Sequence, residues 1–209
     1  VSDLQHPLFA RLFTALCPQL EREVGPWRRR LLAATAGEVL ELGAGNGANF
    51  PYYPKAVERV VAVEPEPYLR RQAQRRAQEA PVPIEVVAGR AEELPESLGR
   101  FDCAVATLVF CSIADPNAAL RAVASRLKEG GTLYFLEHVR GRGTKAAAQL
   151  LLDRSRLWPL VAGGCHCSRD LRTLLEASPF SVEEVEEVAI GPGWLHVNPH
   201  LVGRARLAR

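Results

Sequence analysis

The stretch Val39-Leu40-Glu41-Leu42-Gly43-Ala44-Gly45-Asn46-Gly47-Ala48-Asn49 decides the fold class. A short apolar run passes into Gly-x-Gly-x-Gly, and a helix is expected to follow. Glycine at these positions permits a tight strand-to-helix turn with unusual φ. It also lets the backbone approach a ligand where a Cβ would collide. Alone, the pattern equally fits a plain turn. What lies downstream favours a ligand: Glu64 ends the next apolar run, Arg59–Glu64, about 20 residues on, where such folds place a carboxylate against ribose hydroxyls. A nucleoside-containing cofactor is expected.

Working outward, short apolar runs alternate with helical patterns, the order of a parallel α/β sheet. Strands are predicted at 38–42, 59–64, 84–88, 101–108 and 131–137, all rich in Val, Leu, Ala and Phe as suits burial on both faces. Helices are predicted at 66–80 and 116–128, the second behind an Asp115 cap. Upstream, 7–17 and 20–34 carry apolar residues at helical spacing, including Leu8, Leu12, Ala15 and Leu16. Downstream, 146–158 is amphipathic, and 168–177 reads as a shorter helix capped by Ser168. Strands at 181–190 and 200–208 flank Gly191-Pro192-Gly193 and predict a closing antiparallel hairpin. The expected fold is therefore Rossmann-like: a doubly wound, mostly parallel seven-stranded sheet with an antiparallel C-terminal hairpin and N-terminal helices. We divide it into an N-terminal helical lid region, 1–36, with Phe9, Phe13 and Trp27, and a cofactor-binding domain, 37–209.

Composition narrows the function classes. The 209 residues carry 26 basic and 24 acidic side chains, a formal charge of +2, which gives no footprint for nucleic acid. The local runs Arg28-Arg29-Arg30, Arg70-Arg71 and Arg75-Arg76 read as solvated helix faces. No stretch approaches the ~18 apolar residues of a membrane span. The chain contains no Met, so nothing follows from where it begins. Five Cys are too few and odd in number for a disulfide scaffold. Cys103 and Cys111 read as small core residues and a cytoplasmic setting is expected. Arg far outnumbers Lys and Ala is abundant, which suggests a bacterial genome of high GC content.

The residues leave two cofactors open. Gly43-x-Gly45-x-x-Ala48 satisfies the dinucleotide fingerprint. Glu41, at the strand's end, favours S-adenosylmethionine, because a carboxylate there meets an ammonium group but repels a pyrophosphate. Buried between Leu40 and Leu42, it needs a partner.

With these motifs in view, the chain from about residue 37 resembles the class I S-adenosylmethionine-dependent methyltransferases. Glu41 to Gly47 is similar to that family's first motif, which wraps the methionine part of the cofactor. Val63-Glu64-Pro65 is similar to the second, with Glu64 on the ribose. Gly89-Arg90-Ala91-Glu92-Glu93-Leu94-Pro95 resembles the segment that meets adenine, with Arg90 in place of the usual Asp and the Ala91 backbone still able to serve. Phe101 to Leu108 resembles the fourth motif, with Thr107 and Leu108 beneath the sulfonium. The resemblance also implies cofactor contacts for Gly43, Ala44, Gly45, Asn46, Asn49, Pro65, Tyr68, Gly89 and Glu92.

A narrower likeness is carried by Leu108-Val109-Phe110-Cys111-Ser112, Phe135-Leu136-Glu137-His138-Val139, Gly164-Cys165 with Ser168-Arg169-Asp170, and Asn198-Pro199-His200-Leu201-Val202-Gly203. These resemble the branch that methylates alkyl thiols, which implies a small-molecule sulfur acceptor, hydrogen sulfide or a small exogenous thiol, and S-adenosylhomocysteine as product. Menaquinone and ubiquinone C-methyltransferases share the glycine and fourth motifs, so C- or O-methylation of a quinone or phenol stays open, as do an NAD-dependent oxidoreductase and a non-catalytic cofactor-binding protein. Animal members of the thiol branch carry an N-terminal membrane anchor; no such run is expected here.

For a base we select His138, at the rim where open α/β sheets bind ligands, with His200 and His166 as alternatives. Glu137 faces the other side by strand alternation. Trp158, Trp194 and Phe110 are candidates for an apolar wall over the acceptor. Cys165-His166-Cys167 has no second pair at zinc-site spacing, and no metal is expected.

Overall fold

The computed structural model describes residues 7–208; within its first helix the side chains at 7–9, 12, 13 and 15–17 lie outside that description. The side chains of Leu8, Phe9, Leu12, Phe13, Ala15 and Leu16 therefore fall outside the described residues. The sheet is formed by β1 (Gly37–Leu42), β2 (Val57–Val63), β3 (Ile84–Val87), β4 (Phe101–Thr107), β5 (Leu127–His138), β6 (Phe180–Val188) and β7 (His200–Leu207). Their order is β3-β2-β1-β4-β5-β7-β6. The first five are parallel, while β7 inserts antiparallel between β5 and β6. This is the expected doubly wound sheet with its antiparallel closing pair.

Alternation along the strands sorts the core onto two faces. Leu40, Leu42, Ala104, Ala106, Leu133 and Phe135 join one cluster. Val39, Val105, Tyr134 and Leu136 join the other. The helices cover these faces. They are α1 (Pro7–Leu32), α2 (Pro67–Ala77), α3 (Pro116–Arg126), α4 (Gly143–Arg154), α5 (Leu157–Val161) and α6 (Leu171–Glu176).

Where the elements differ from expectation, local chemistry explains it. The two upstream helices are one, running through Pro18 and Pro26. An interior proline costs about 3 kcal/mol, and burial of Val24, Leu31 and Leu32 against the sheet offsets it. No α-helix follows the glycines: Pro51 and Pro54 leave turns and a single 3₁₀ turn at Phe50–Tyr52. The 146–158 helix splits at Arg156, whose φ is +59°. The 168–177 helix starts later, because Asp170 rather than Ser168 caps it and accepts from the Thr173 N–H. Ser168 instead donates to Asp153. Asp115 does cap α3, through the Ala118 N–H at 2.9 Å. Asp115→Ala should lower stability by about 1 kcal/mol, read as a shift in the urea midpoint with an unchanged slope.

Candidate active site

A cavity opens at the carboxyl ends of β1, β2 and β4, where a doubly wound sheet changes direction. The glycine turn forms its floor. Gly43 and Gly45 hold φ of +56° and +57°. A Cβ on Gly43 would lie 2.2 Å from Val109 Cγ2, so the strand end and the loop after β4 approach this closely only because the residue is glycine. Ala44 and Asn46 line the same floor, and Glu64 with Pro65 form one wall. Ala91 and Glu92 form a second wall, and Thr107 and Leu108 a third. The structure thus brings together ten of the sequence-predicted residues.

Glu64 is the best-defined polar group. One oxygen accepts from the Gly45 N–H and the other from the Glu66 N–H, both at 2.8 Å. Burial raises its pKa to about 7, although both backbone donors act to lower it. Each carboxylate oxygen keeps a second lone pair, so the group can still receive hydroxyls from the cavity. Glu66 caps α2 through the Leu69 N–H, and Arg90 pairs with Glu92 at 3.3 Å.

Glu41 corrects the sequence reading, because it does not line the cavity. One of its oxygens receives the Tyr53 hydroxyl at 2.6 Å and the other the Asn49 amide at 3.0 Å. Burial raises its pKa to about 7, against the lowering effect of those two donors. Asn49 also sits behind the wall, donating to Thr107 Oγ1 at 2.7 Å and accepting from Arg28 at 2.8 Å. Glu41 thus bears on the cavity through Asn49, which it shares with Thr107 and Arg28. Tyr68 and Gly89 likewise stand off the lining, Tyr68 half-buried on α2 and Gly89 packed toward Val63.

Arg28 was missed. Its neighbours Arg29 and Arg30 are the exposed pair expected, but Arg28 is buried, ion-paired to Glu21 at 3.0 Å, and on the cavity lining. Nothing in a run of three arginines distinguishes the one that turns inward. Ser112, Ile113, Ala114 and Gly163 were also missed, because they come from loops that only the fold brings to the cavity.

His138 corrects a second expectation. It is buried and does not line the cavity, because β7 pairs with β5 as far as His138 and Val139 bonds to Pro199 O, which covers the rim. Its Nε2 lies 3.1 Å from Cys165 Sγ. Burial pulls the imidazole pKa down, but the Cys111 sulfur beside it outweighs this and raises it. The Cys111 thiol is held well below its ordinary range by the Cys165 thiol and by His138. His200 is buried on Asn198, and burial lowers its pKa to about 3. His166 anchors the Cys111 carbonyl through its backbone N–H. The aromatic wall is not assembled: Phe110 is in the core, Trp194 is 81% exposed, and Trp158 meets His196 edge to face.

Glu137 faces away from His138, as alternation requires. Its Oε1 accepts the N–H groups of Val109 and Phe110 at 2.8 and 3.1 Å. It thereby holds the loop that walls the cavity. Burial raises its pKa to about 8.

The methyltransferase domain family matches residues 40–135. Thiol S-methyltransferase TMT1B of Mus musculus is 34% identical over 181 residues, covering 83% of this chain and 73% of that protein. This chain belongs to the class I S-adenosylmethionine-dependent methyltransferases. Within them it falls in the thiol S-methyltransferase branch, since TMT1A of Homo sapiens is also 33% identical, across 80% of the chain and 69% of that protein. The methyltransferase fold agrees with the N-methyltransferase NodS of Bradyrhizobium japonicum in complex with S-adenosylhomocysteine. There the TM-score is 0.68 at 20% identity, covering 91% of this chain and 88% of that one. The dinucleotide alternative is thereby closed, and the cofactor of this methyltransferase is S-adenosylmethionine. The cavity suits it: a carboxylate for a ribose diol, apolar walls from Val63, Pro65, Leu69 and Ala91 for a flat base, and an inward guanidinium. Among the described residues no helix is long and apolar enough to cross a membrane.

Proposed function

We propose that the cavity transfers a methyl group from S-adenosylmethionine to the sulfur of a small thiol. In this reading Glu64 receives the ribose hydroxyls, and the backbone of Ala91 with the Glu92 segment borders the adenine. Gly43, Ala44 and Gly45 let the methionine portion lie on the backbone, with Arg28 facing its carboxylate. Thr107 and Leu108 would border the sulfonium. Asn46 and Pro65 complete the floor and wall, while Glu41 and Asn49 hold Thr107 and Arg28 in place.

The observation that carries the acceptor assignment is the lining of one side. Segment 107–109, Ser112–Ala114 and Gly163 contribute no ionisable side chain. A thiol with a pKa near 8.5 supplies a few per cent thiolate at neutral pH and needs no base, whereas a phenol near 10 would need one. When bound, S-adenosylmethionine would supply the methyl group to the thiolate sulfur, with S-adenosylhomocysteine as the leaving group and the thiol proton passing to solvent. Alignment of the three atoms supplies most of the acceleration. The names of the curated relatives support the same acceptor class.

The test is a panel of thiols, phenols and quinols assayed for S-adenosylhomocysteine release. Thiols should turn over, and the pH midpoint of kcat/KM should move with the pKa of the thiol supplied. Turnover of phenols or quinols without thiols would overturn the assignment.

A further inference from the structure

We propose that Cys111, His138 and Cys165 form a binding site for a soft divalent cation of the zinc class, beside the cavity and separate from the methyl-transfer machinery. Cys111 lies after β4, His138 ends β5 and Cys165 follows α5, so three segments distant in sequence converge. Their ligand atoms, two Sγ and one imidazole nitrogen, lie within 4.8 Å of one another, and all three residues are buried. Zinc–sulfur and zinc–nitrogen bonds of about 2.3 and 2.0–2.1 Å span such a triangle with small side-chain adjustments.

The donor set selects the ion. Two thiolates and one imidazole are soft and borderline ligands, which favour zinc over calcium or magnesium. Two thiolates and a neutral imidazole balance a 2+ ion, so the loaded site carries no net charge into the interior. Three protein ligands leave one position for water or another donor, the arrangement of open zinc sites. Supporting contacts are present: the Trp158 indole N–H donates to Cys165 Sγ at 3.3 Å, and Ser112 Oγ lies 3.5 Å from Cys111 Sγ. His138 Nε2 faces the sulfurs, 3.1 Å from Cys165 Sγ, and is the ligating nitrogen. Cys167 belongs elsewhere, with its sulfur on Asp153 and Gln149. The sequence concealed this site because its partners are not the neighbours in Cys165-His166-Cys167.

Cobalt(II) titration of the whole chain under an inert atmosphere with a phosphine reductant tests the site. The expected result is a sulfur-to-cobalt charge-transfer band with intense visible bands of a four-coordinate ion, saturating at one equivalent and bleached by zinc. Cys111→Ser and Cys165→Ser should each lose the charge-transfer intensity of one thiolate, and the double variant should lose it entirely. Cys167→Ser should retain all of it. Circular dichroism on each variant verifies the fold. Absence of the band in the reduced wild type, or its persistence in the folded double variant, overturns the proposal. S-adenosylhomocysteine binding, measured on the same samples, reports the methyltransferase site independently.

Discussion

Glu64→Ala is expected to weaken S-adenosylhomocysteine binding by about tenfold to a hundredfold, with the fold intact. The carboxylate is buried at the end of β2, where its oxygens already fix the Gly45 and Glu66 N–H groups. A ribose diol adds charge-assisted hydrogen bonds worth about 1.5–3 kcal/mol each, and 1.4 kcal/mol corresponds to tenfold. The same residue sets a pH dependence. Its pKa stands at about 7 because burial disfavours the charge, and hydroxyl donors favour the ionised form. Affinity should therefore rise from pH 6 to 8 as the proton is lost. Glu41 also titrates near 7 but lies behind the wall, so Glu64→Gln should remove most of the pH dependence. Isothermal titration across that range decides it. An unchanged affinity in Glu64→Ala would show that the ribose lies elsewhere.

Glu137→Ala should cost about 2–5 kcal/mol of stability. Truncation leaves the buried N–H groups of Val109 and Phe110 without their acceptor, at about 1–3 kcal/mol each. Glu137→Gln keeps an acceptor oxygen in place and should cost less than Glu137→Ala, although its amide nitrogen takes the buried Oε2 position, which has no partner among the described residues. The pH dependence distinguishes them further. Burial raises this pKa from its ordinary 4.5 to about 8, so the folded state retains the proton. Its contribution is complete below about 4.5 and is lost as pH rises through 8. Urea midpoints of the wild type should carry that decline between pH 5 and 8, and those of Glu137→Gln should lack it. Equal midpoints for the Ala and Gln variants would show that the loop is held by something other than this acceptor.

The sequence showed what neighbouring residues determine. Gly43, Gly45 and Glu64 sit at strand ends, and strand ends follow from short apolar runs, so both the doubly wound α/β class and the carboxylate's place were legible. Arg28 was not, because three arginines in a row give no sign of which one turns inward. Glu41 was correctly read as a buried carboxylate in need of a partner. That partner is Tyr53, a residue with no motif of its own, and so Glu41 was assigned to the cofactor. His138 was placed on the rim because nothing local says that β7 would pair alongside it to its last residue. The convergence of Cys111 and Cys165 on that histidine depends on two loops and was invisible for the same reason.

The structure of the chain with S-adenosylhomocysteine bound shows where the cofactor sits. The expected placement has ribose hydroxyls on Glu64, the methionine portion along Gly43–Gly45, and the thioether sulfur above Thr107 and Leu108. A nucleoside seated away from the glycine turn, or one whose ribose leaves Glu64 untouched, would contradict it.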